Sequence, residues 1–170
     1  MSTAEIKDLL TKLDAQIPSA KSGLPLDIFY FVSRLTPLVN VDLLVKNERK
    51  QALLVWREDQ YYRGWHVAGG IIRFKEKIED RIRAVAKNEF GATVEFEPQS
   101  IAMHEKFAPD RDIRGHFLSL LYRTYLTSEP DEKLRCTDPK NPQPHQWLWH
   151  EGCPSNLIHQ HEVYRKFIES

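Results

Sequence analysis

The chain has 170 residues, of which 41% are hydrophobic and 28% are charged, and these values are typical of one compact domain with a genuine core. Lysine plus arginine and aspartate plus glutamate are balanced at 24 each, so no net charge favours a nucleic acid or an anionic membrane as partner. The sequence has no apolar run of about 18 residues, no signal-like start and no Cys-x-x-Cys pair. We therefore expect a cytoplasmic protein that binds neither nucleic acid nor membranes.

The first part of the chain predicts two helices. Apolar residues recur at helical spacing in residues 4–13, and the aromatic segment 25–35 predicts a second, shorter helix. Neither segment shows the alternation of a strand. We therefore assign residues 1–35 to an N-terminal helical extension and residues 36–170 to the main domain.

The main domain predicts a mixed sheet with helices. Strands are predicted where β-prone apolar residues alternate or cluster, at residues 39–45, 51–56, 65–67, 93–96, 101–106, 116–126 and 146–149. The first two are expected to pair as a hairpin. Helices are predicted at residues 77–90 and 155–168, and the polar segment 128–145 predicts a long surface loop. This order of elements predicts an α/β fold.

One carboxylate interrupts the apolar face of the helix predicted at residues 77–90. At 3.6 residues per turn, Glu89 falls on the same face as Ile82 and Val85. A carboxylate in low-dielectric surroundings needs a compensating cation, and a divalent metal supplies one most completely. The alternative is that Glu89 lies at the edge of this face and reaches water.

Glycines and glutamates surround this helix at a fixed spacing. Gly70, Glu76, Glu89 and Gly91 stand at the positions required by the pattern G-x5-E-x7-R-E-U-x-E-E-x-G-U, in which U is a bulky aliphatic residue. The chain therefore resembles the Nudix hydrolases, whose box this is. The resemblance implies an α/β/α sandwich with a mixed β-sheet, and hydrolysis assisted by a divalent metal.

The box departs from the family pattern within the helix. Ala84 and Val85 replace the Arg-Glu pair, and Asn88 replaces the first glutamate of the Glu-Glu pair. Two of the three helix carboxylates are therefore absent. We expect a single Mg²⁺, with Mn²⁺ as an alternative ion, rather than two or three metals.

The segment before the box resembles one branch of the family, the GDP-mannose mannosyl hydrolases. The similarity lies in the runs S-R-L-T-P-L-V-N-V-D-L-L-V-K-N, A-L-L-V-W-R and G-W-H-V-A-G-G. It implies that the metal ligands are the backbone carbonyl of Gly69, Glu89 and Gln143. It also implies that His145 is the general base, although Pro144 separates it here from the glutamine that it directly follows in that branch.

Other charged positions are assigned in the same way. The resemblance carries over Asp42 and Arg57 as catalytic residues, with Arg57 stabilising charge on the departing diphosphate. Glu76 is expected to contact the residues that bind the metal and hold them in place, without binding the metal itself. The alternatives are that Glu76 binds the metal itself or simply pairs with an arginine such as Arg83.

Three residues are expected to contact the substrate besides Arg57. The branch has an arginine where this chain has Ile71, and Arg73 two residues later is a candidate for the same phosphate. Its tyrosine that contacts the leaving nucleotide corresponds to Phe117. Tyr62 is a candidate for stacking on a base or sugar, with a place in the core or its rim as the alternative.

These expectations combine into one function with two alternatives. The resemblance implies Mg²⁺-dependent hydrolysis of a nucleoside diphosphate sugar, GDP-mannose or GDP-glucose, to GDP and free sugar by water attack at the anomeric carbon. One alternative is attack at phosphorus on another nucleoside diphosphate compound, and the other is a nucleotide-binding module that has lost turnover. A homodimer is common in the resembled branch, so a second copy of the chain is the expected protein partner.

Overall fold

The computed structural model describes residues 1–170, which form four α-helices and eight β-strands. The helices are α1 (Thr3–Asp14), α2 (Leu26–Val32), α3 (Ile78–Phe90) and α4 (Arg165–Glu169). The strands are β1 (Leu38–Val45), β2 (Ala52–Glu58), β3 (Arg63–His66), β4 (Gly69–Ile71), β5 (Val94–Phe96), β6 (Ala102–Phe107), β7 (His116–Leu126) and β8 (Trp147–His150). All seven predicted strands are present, and β4 is the strand that the sequence did not predict.

The larger sheet is built around the long strand β7. One edge of β7 pairs in parallel with the whole of β1, and β1 pairs in turn with the short antiparallel strand β4. The other edge of β7 is shared, because β6 pairs with its first half and β5 with its second half, both antiparallel. The sheet is therefore mixed, as predicted, and it brings β4 to the edge next to β1.

The predicted hairpin of the first two strands is wrong. β2 lies in a separate antiparallel sheet, between β3 and β8, and its only backbone pairing with β1 is a single bridge between Lys46 and Ala52. The physical reason is that both faces of β1 and of β2 are buried, so each strand needs neighbours on both of its edges. β1 finds them in β4 and β7, and β2 finds them in β3 and β8.

Helical segments cover opposite sides of the two sheets. On one side, Ile82 and Phe90 of α3 belong to the same buried cluster as Leu43 of β1. On the other side, Tyr164 and Ile168 of the C-terminal segment pack in the cluster that contains Leu44 and Leu54. The arrangement is an α/β/α sandwich, which confirms the predicted fold class.

The two ends of the chain differ in how closely they pack. The predicted C-terminal helix at residues 155–168 is a 3₁₀ segment, His159–Tyr164, that continues into α4. At the other end, α1 has no buried residue, whereas α2 buries Ile28. No helix in the structure is both long and apolar enough to span a bilayer.

Candidate active site

Four predicted site residues from distant parts of the chain line one open cavity of about 270 Å³. Arg57 comes from the end of β2, Gly69 from the start of β4, Glu89 from the last turn of α3, and His145 from the loop before β8. Glu89 and Gly69 come together because α3 folds back against the connection from β3 to β4, with Gly69 and Gly70 at its end, which is called the diglycine turn below. This cavity is called the Glu89 cavity below.

The diglycine turn is held close to α3 by the absence of side chains. A β-carbon on Gly70 would lie 2.7 Å from Cγ2 of Val85, and a β-carbon on Gly69 would lie 2.1 Å from Oδ1 of Asp42. Both distances are shorter than van der Waals contact, so only glycine fits at these two positions. The close approach brings the backbone of Gly69 to the wall of the cavity that Glu89 also lines.

The Glu89 carboxyl is half-buried and forms no hydrogen bond with the rest of the chain. Burial raises its pKa, while the nearby charges of His145 and Arg57 act in the opposite direction without reversing the shift. Partial burial without a full counter-charge makes a nearby cation favourable for this carboxylate. Because the cavity is open, Glu89 also reaches solvent, so its role as a metal ligand stays a prediction.

Arg57 is oriented by two neighbours. Its Nε donates to Oδ2 of Asp59 at 2.6 Å, and its guanidinium carbon lies 4.6 Å from the centre of the Tyr62 ring. Burial works to raise the pKa of Asp59, but hydrogen bonds from the backbone N–H of Tyr61 and from Arg57 outweigh it, so the pKa is lowered. Asp59 therefore stays ionised and keeps Arg57 at the cavity.

His145 reaches the cavity in spite of the extra residue Pro144. Its backbone N–H donates to the carbonyl oxygen of Trp56 at 2.9 Å, which extends the pairing of β8 with β2. Its φ of 67° lies in the left-handed region, where non-glycine residues are uncommon. Gln143 is not brought to the cavity, because its exposed side-chain amide donates to the carbonyl oxygen of Asn141 at 3.1 Å.

Asp42 lies behind the cavity wall rather than in the cavity. Its side chain is 1% exposed, and its Oδ2 accepts hydrogen bonds from Lys106 Nζ at 2.9 Å and from the Tyr164 hydroxyl at 2.5 Å. Its Oδ1 accepts from the amide of Asn40 at 2.8 Å. The geometry gives Asp42 a positioning role beneath Gly69, so direct contact with substrate stays a prediction.

Glu76 and Arg73 also lie away from the Glu89 cavity. Glu76 pairs with Arg81, at 2.8 Å, rather than with Arg83. Burial opposes ionisation of Glu76, but its hydrogen bonds with the Arg73 backbone N–H and with Arg81 lower its pKa. The Arg73 guanidinium donates to the carbonyl oxygen of Lys21, on the side of the N-terminal extension. The structure therefore does not bring Arg73 to the phosphate position expected for it.

His66 lines the Glu89 cavity and was not predicted to do so. Its Nδ1 lies 2.8 Å from the carbonyl oxygen of Val55, which can only accept, so Nδ1 carries the proton and Nε2 is left as an acceptor. Burial, helped by the charge of Arg57, lowers its pKa to about 4. Side chains alternate between the two faces of a strand, so His66 points to the opposite face from Trp65 and Val67 in the strand predicted at residues 65–67. This signal was available in the sequence.

The architecture is shared with solved structures of low sequence identity. A MutT NUDIX hydrolase from Burkholderia pseudomallei is 17% identical with a TM-score of 0.60, over 77% of this chain and 97% of that one. A NUDIX family hydrolase from Clostridium perfringens is 14% identical with a TM-score of 0.57, over 79% and 95%. An ADP-ribose pyrophosphatase from Streptococcus suis is 18% identical with a TM-score of 0.53, over 78% and 87%. The chain has the Nudix fold.

One curated relative is similar in sequence. The low-salt glycan biosynthesis protein Agl8 of Haloferax volcanii is 33% identical over 98 residues, which are 55% of this chain and 62% of that protein. The match thus spans about three-fifths of the length of that protein. No family model matches the chain.

Within this Nudix fold, the groups of the Glu89 cavity that could hold a metal are few. Val85 is 3% exposed and packs against the diglycine turn, so an aliphatic group fills the place where the box has a carboxylate. No group of three or more histidine, cysteine, aspartate or glutamate side chains is placed to hold a metal. The Glu89 carboxylate and the Gly69 carbonyl are hard oxygen donors, which Mg²⁺ prefers, and Mg²⁺ commonly fills its remaining positions with water and substrate phosphate.

A second, smaller cavity lies next to the Glu89 cavity. It has a volume of about 70 Å³, and its walls include Tyr62 and Phe117, the two aromatic residues predicted to contact substrate. The Tyr62 hydroxyl accepts a hydrogen bond from Arg111 Nη1 at 2.7 Å. Tyr62 joins the two cavities, because its ring also stacks under Arg57.

Proposed function

We propose that the protein is a Mg²⁺-dependent hydrolase of a nucleoside diphosphate sugar, with GDP-mannose or GDP-glucose as the leading candidates. The products are the nucleoside diphosphate and free sugar, formed by water attack at the anomeric carbon. The observation that carries the proposal is the half-buried, unpaired Glu89 carboxyl in one cavity with Gly69, Arg57 and His145. These are the groups that the reaction needs: a metal site, a cation for the leaving group and a base.

Each residue of the cavity has a distinct role in this proposal. Glu89 and the Gly69 carbonyl hold Mg²⁺, which when bound neutralises charge on the diphosphate leaving group. Arg57 donates hydrogen bonds to the departing phosphate oxygens. His145 accepts the proton of the attacking water on an imidazole nitrogen. Gln143 is proposed as a third ligand, and this requires its amide to leave the Asn141 carbonyl.

The sugar part of the substrate is supported by two observations. The only carboxylate of the box helix that lines the cavity is Glu89, and a single metal suits stabilisation of a leaving group better than multi-metal attack at phosphorus. The relative Agl8 is named for glycan biosynthesis, a process that consumes activated sugars. Hydrolysis of a nucleotide sugar is consistent with both.

The first experiment is an assay of nucleotide sugars with Mg²⁺, followed by chromatography of the nucleotide product. We expect the nucleoside diphosphate, and in ¹⁸O-labelled water we expect the label in the sugar. Release of the nucleoside monophosphate, or label in the nucleotide, would instead indicate attack at phosphorus and overturn the proposed chemistry.

A variant at His145 tests the proposed base. We expect His145→Gln to lower kcat by roughly 10²–10⁴-fold with little change in KM, because a general base acts in the transition state. His159→Gln changes an exposed histidine that lines neither cavity and is the matched control. No turnover of any nucleotide sugar by the unaltered protein, together with nucleotide binding, would favour the binding-module alternative.

We also propose that the protein is cytoplasmic and that α1 mediates a homodimer. Ile6, Leu9 and Leu10 on this helix are 43%, 53% and 59% exposed, so its apolar face has no partner within the chain. Sedimentation of the unaltered protein should give twice the mass of one chain, and Leu9→Lys should give the monomer mass. A monomer for both proteins would contradict the dimer.

A further inference from the structure

The smaller cavity beside Tyr62, called the Ser119 cavity here, contains two buried polar atoms without a hydrogen-bond partner. The Ser119 hydroxyl and Oε1 of Gln160 both belong to residues that line it, and neither atom forms a hydrogen bond. Ser119 is 1% exposed. The hydroxyl of its neighbour Tyr164 donates to Asp42, so toward Ser119 it can only accept, and the acceptor sites of the Ser119 hydroxyl stay unpaired.

Unpaired buried polar atoms are unfavourable unless a ligand satisfies them. Each one destabilises a protein by roughly 1–3 kcal/mol, and native proteins pair nearly all of them. Two such atoms in one cavity of about 70 Å³ therefore need hydrogen-bond partners from outside the chain, which water or a ligand can supply. At about 10–15 Å³ of such space per water, the cavity itself holds on the order of five water-sized groups, fewer than the roughly twelve heavy atoms of a hexose, so part of a sugar ring enters it and the rest lies at its open side.

The two atoms together select hydroxyl groups. Oε1 of Gln160 only accepts, so its partner must be a donor, whereas the Ser119 hydroxyl can donate or accept. A phosphate group at neutral pH offers mainly acceptors and would leave Gln160 Oε1 unpaired. A polyhydroxylated ring offers both kinds of partner.

The two cationic side chains that line the cavity already have partners: one is paired with a carboxylate, and the other lies over aromatic rings. Lys106 Nζ lies 2.9 Å from the Asp42 carboxylate, and only 9% of its side chain is exposed. The Arg114 guanidinium lies over the Tyr61 and Phe29 rings, at 5.6 Å and 5.8 Å from their centres. The interior therefore favours a neutral ligand. Tyr62 and Phe117, where the resembled branch has a tyrosine that contacts the leaving nucleotide, supply apolar surface for its C–H groups.

The Ser119 cavity is next to the proposed diphosphate site. Tyr62 lines it and also lies under Arg57 of the Glu89 cavity. On the inner side, the His161 and His66 rings are 5.8 Å apart, one lining each cavity. A group bound in the Ser119 cavity is therefore close enough to be covalently joined to a diphosphate in the Glu89 cavity.

We propose that the Ser119 cavity binds the hexose end of the substrate, with Ser119 and Gln160 hydrogen-bonding its hydroxyl groups. The inference rests on the proposed function for the identity of the substrate as a nucleotide sugar. It adds the place where the sugar is recognised and the two residues that discriminate between sugars. A site built to pair with substrate hydroxyls strongly rejects analogues that lack them.

The experiment is calorimetric titration, in Mg²⁺, of GDP and of a non-hydrolysable GDP-mannose analogue with a carbon in place of the glycosidic oxygen. We expect Ser119→Ala and Gln160→Ala each to weaken binding of the analogue by about three- to tenfold, the effect of one lost hydrogen bond, and to leave GDP binding unchanged. Ser155→Ala and Gln99→Ala, both exposed positions, are the matched controls and should change neither. Ser119→Ala removes an unpaired hydroxyl, so its melting temperature should not fall.

Each outcome decides the proposal. Equal weakening of GDP and of the analogue would mean that the cavity binds the base or a phosphate, and no effect on either would mean that the cavity is not used. Both results overturn the inference. Because the readout is binding, it is separate from turnover: a protein that hydrolyses no nucleotide sugar can still show the selective loss, and an active hydrolase can lack it.

Discussion

Glu89 is held in surroundings that disfavour its charge, and this has consequences for stability. Its pKa is raised in the folded protein, so the stabilising contribution of the protonated form is present below the unfolded pKa and is lost as the pH rises through the folded value. At neutral pH the ionised carboxylate is therefore a source of instability that a bound metal ion would relieve. The same property that suits Glu89 for metal binding makes it unfavourable in the free protein.

Replacing this carboxyl should stabilise the metal-free protein. We expect Glu89→Gln to raise the free energy of unfolding at pH 7, with the difference shrinking as the pH falls to 4, as measured by urea denaturation in EDTA. Glu79→Gln on the exposed side of the same helix is the control and should have little effect. A lower stability of Glu89→Gln at pH 7 would contradict the pKa direction on which this prediction depends.

The lowered pKa of His66 predicts a second dependence of stability on pH, opposite in direction to the one due to Glu89. Its folded pKa of about 4 lies below the ordinary value of 6.5, so it contributes stability above pH 6.5 that is lost as the pH falls toward 4. At 1.36 kcal/mol per unit of pKa, the loss is roughly 3 kcal/mol. His66→Gln keeps a donor for the Val55 carbonyl and should flatten the fall in stability between pH 6.5 and 4, whereas His159→Gln should not. Parallel curves for His66→Gln and the unaltered protein would contradict the prediction.

Residues in regular elements could be placed from the sequence, and residues in loops could not. Helical periodicity put Glu89 on the inner face of α3, and pairing of β8 with β2 carries His145 to the cavity. Gln143 and Arg73 differ, because the direction of their side chains depends on local hydrogen bonds with Asn141 and Lys21 that no periodicity reveals. Their assigned roles stay predictions.

At the scale of elements, the end of α3 depends on a glycine with two separate requirements. Gly91 has a φ of 66°, and a β-carbon there would lie 2.6 Å from Cβ of Asp131. Gly152 also has a positive φ, 79°, but a β-carbon there would meet nothing within 4 Å. Comparing Gly91 with Gly152 therefore separates the effect of the backbone conformation from the effect of the steric contact that a β-carbon would make.

Alanine at these two glycines should therefore differ in effect. We expect Gly152→Ala to destabilise by about 1–2 kcal/mol, the penalty of the left-handed conformation alone, and Gly91→Ala to destabilise by more. Thermal or urea unfolding measures both. Equal losses of unfolding free energy in the two variants would show that the segment around Asp131 moves aside without a measurable penalty. Gly91 would then be needed only for its backbone conformation.

The elements themselves were largely predictable, and their pairing was not. The alternation of apolar residues gave seven of the eight strands, since that pattern is local. The strand β4 is missing from the prediction because its three residues include Gly69 and Gly70, which carry no side chain to alternate. The partners of β1 and β2 depend on which edges are free in three dimensions, and this is not encoded in either strand alone.

At the scale of the whole molecule, the N-terminal extension predicted at residues 1–35 has two unequal halves. α1 has no buried residue. The following part contacts the main domain through the Phe29 ring, whose centre lies 5.8 Å from the Arg114 guanidinium, through the Lys21 carbonyl, and through Ser33, whose hydroxyl accepts from the Arg114 N–H at 3.2 Å. The boundary after residue 35 therefore stays a prediction.

Two truncations test this division. Removing residues 2–14 should change the melting temperature by no more than about 2 °C relative to the monomeric Leu9→Lys protein, because no residue of α1 is buried. Removing residues 2–35 should lower it by at least about 4 °C, because buried apolar surface and two hydrogen bonds are lost. Similar melting temperatures for the two truncations would mean that the main domain begins after residue 35, as the sequence predicts.

The central claim is that Glu89 and the diglycine turn hold one divalent ion, and direct titration with Mn²⁺, followed by its paramagnetic resonance, tests it without reference to activity. We predict one Mn²⁺ bound per chain for the unaltered protein, competed by Mg²⁺, and at least a tenfold weaker affinity for Glu89→Gln, with Glu79→Gln unchanged. Unaltered Mn²⁺ affinity in Glu89→Gln, or two or more ions bound tightly per chain, would contradict it.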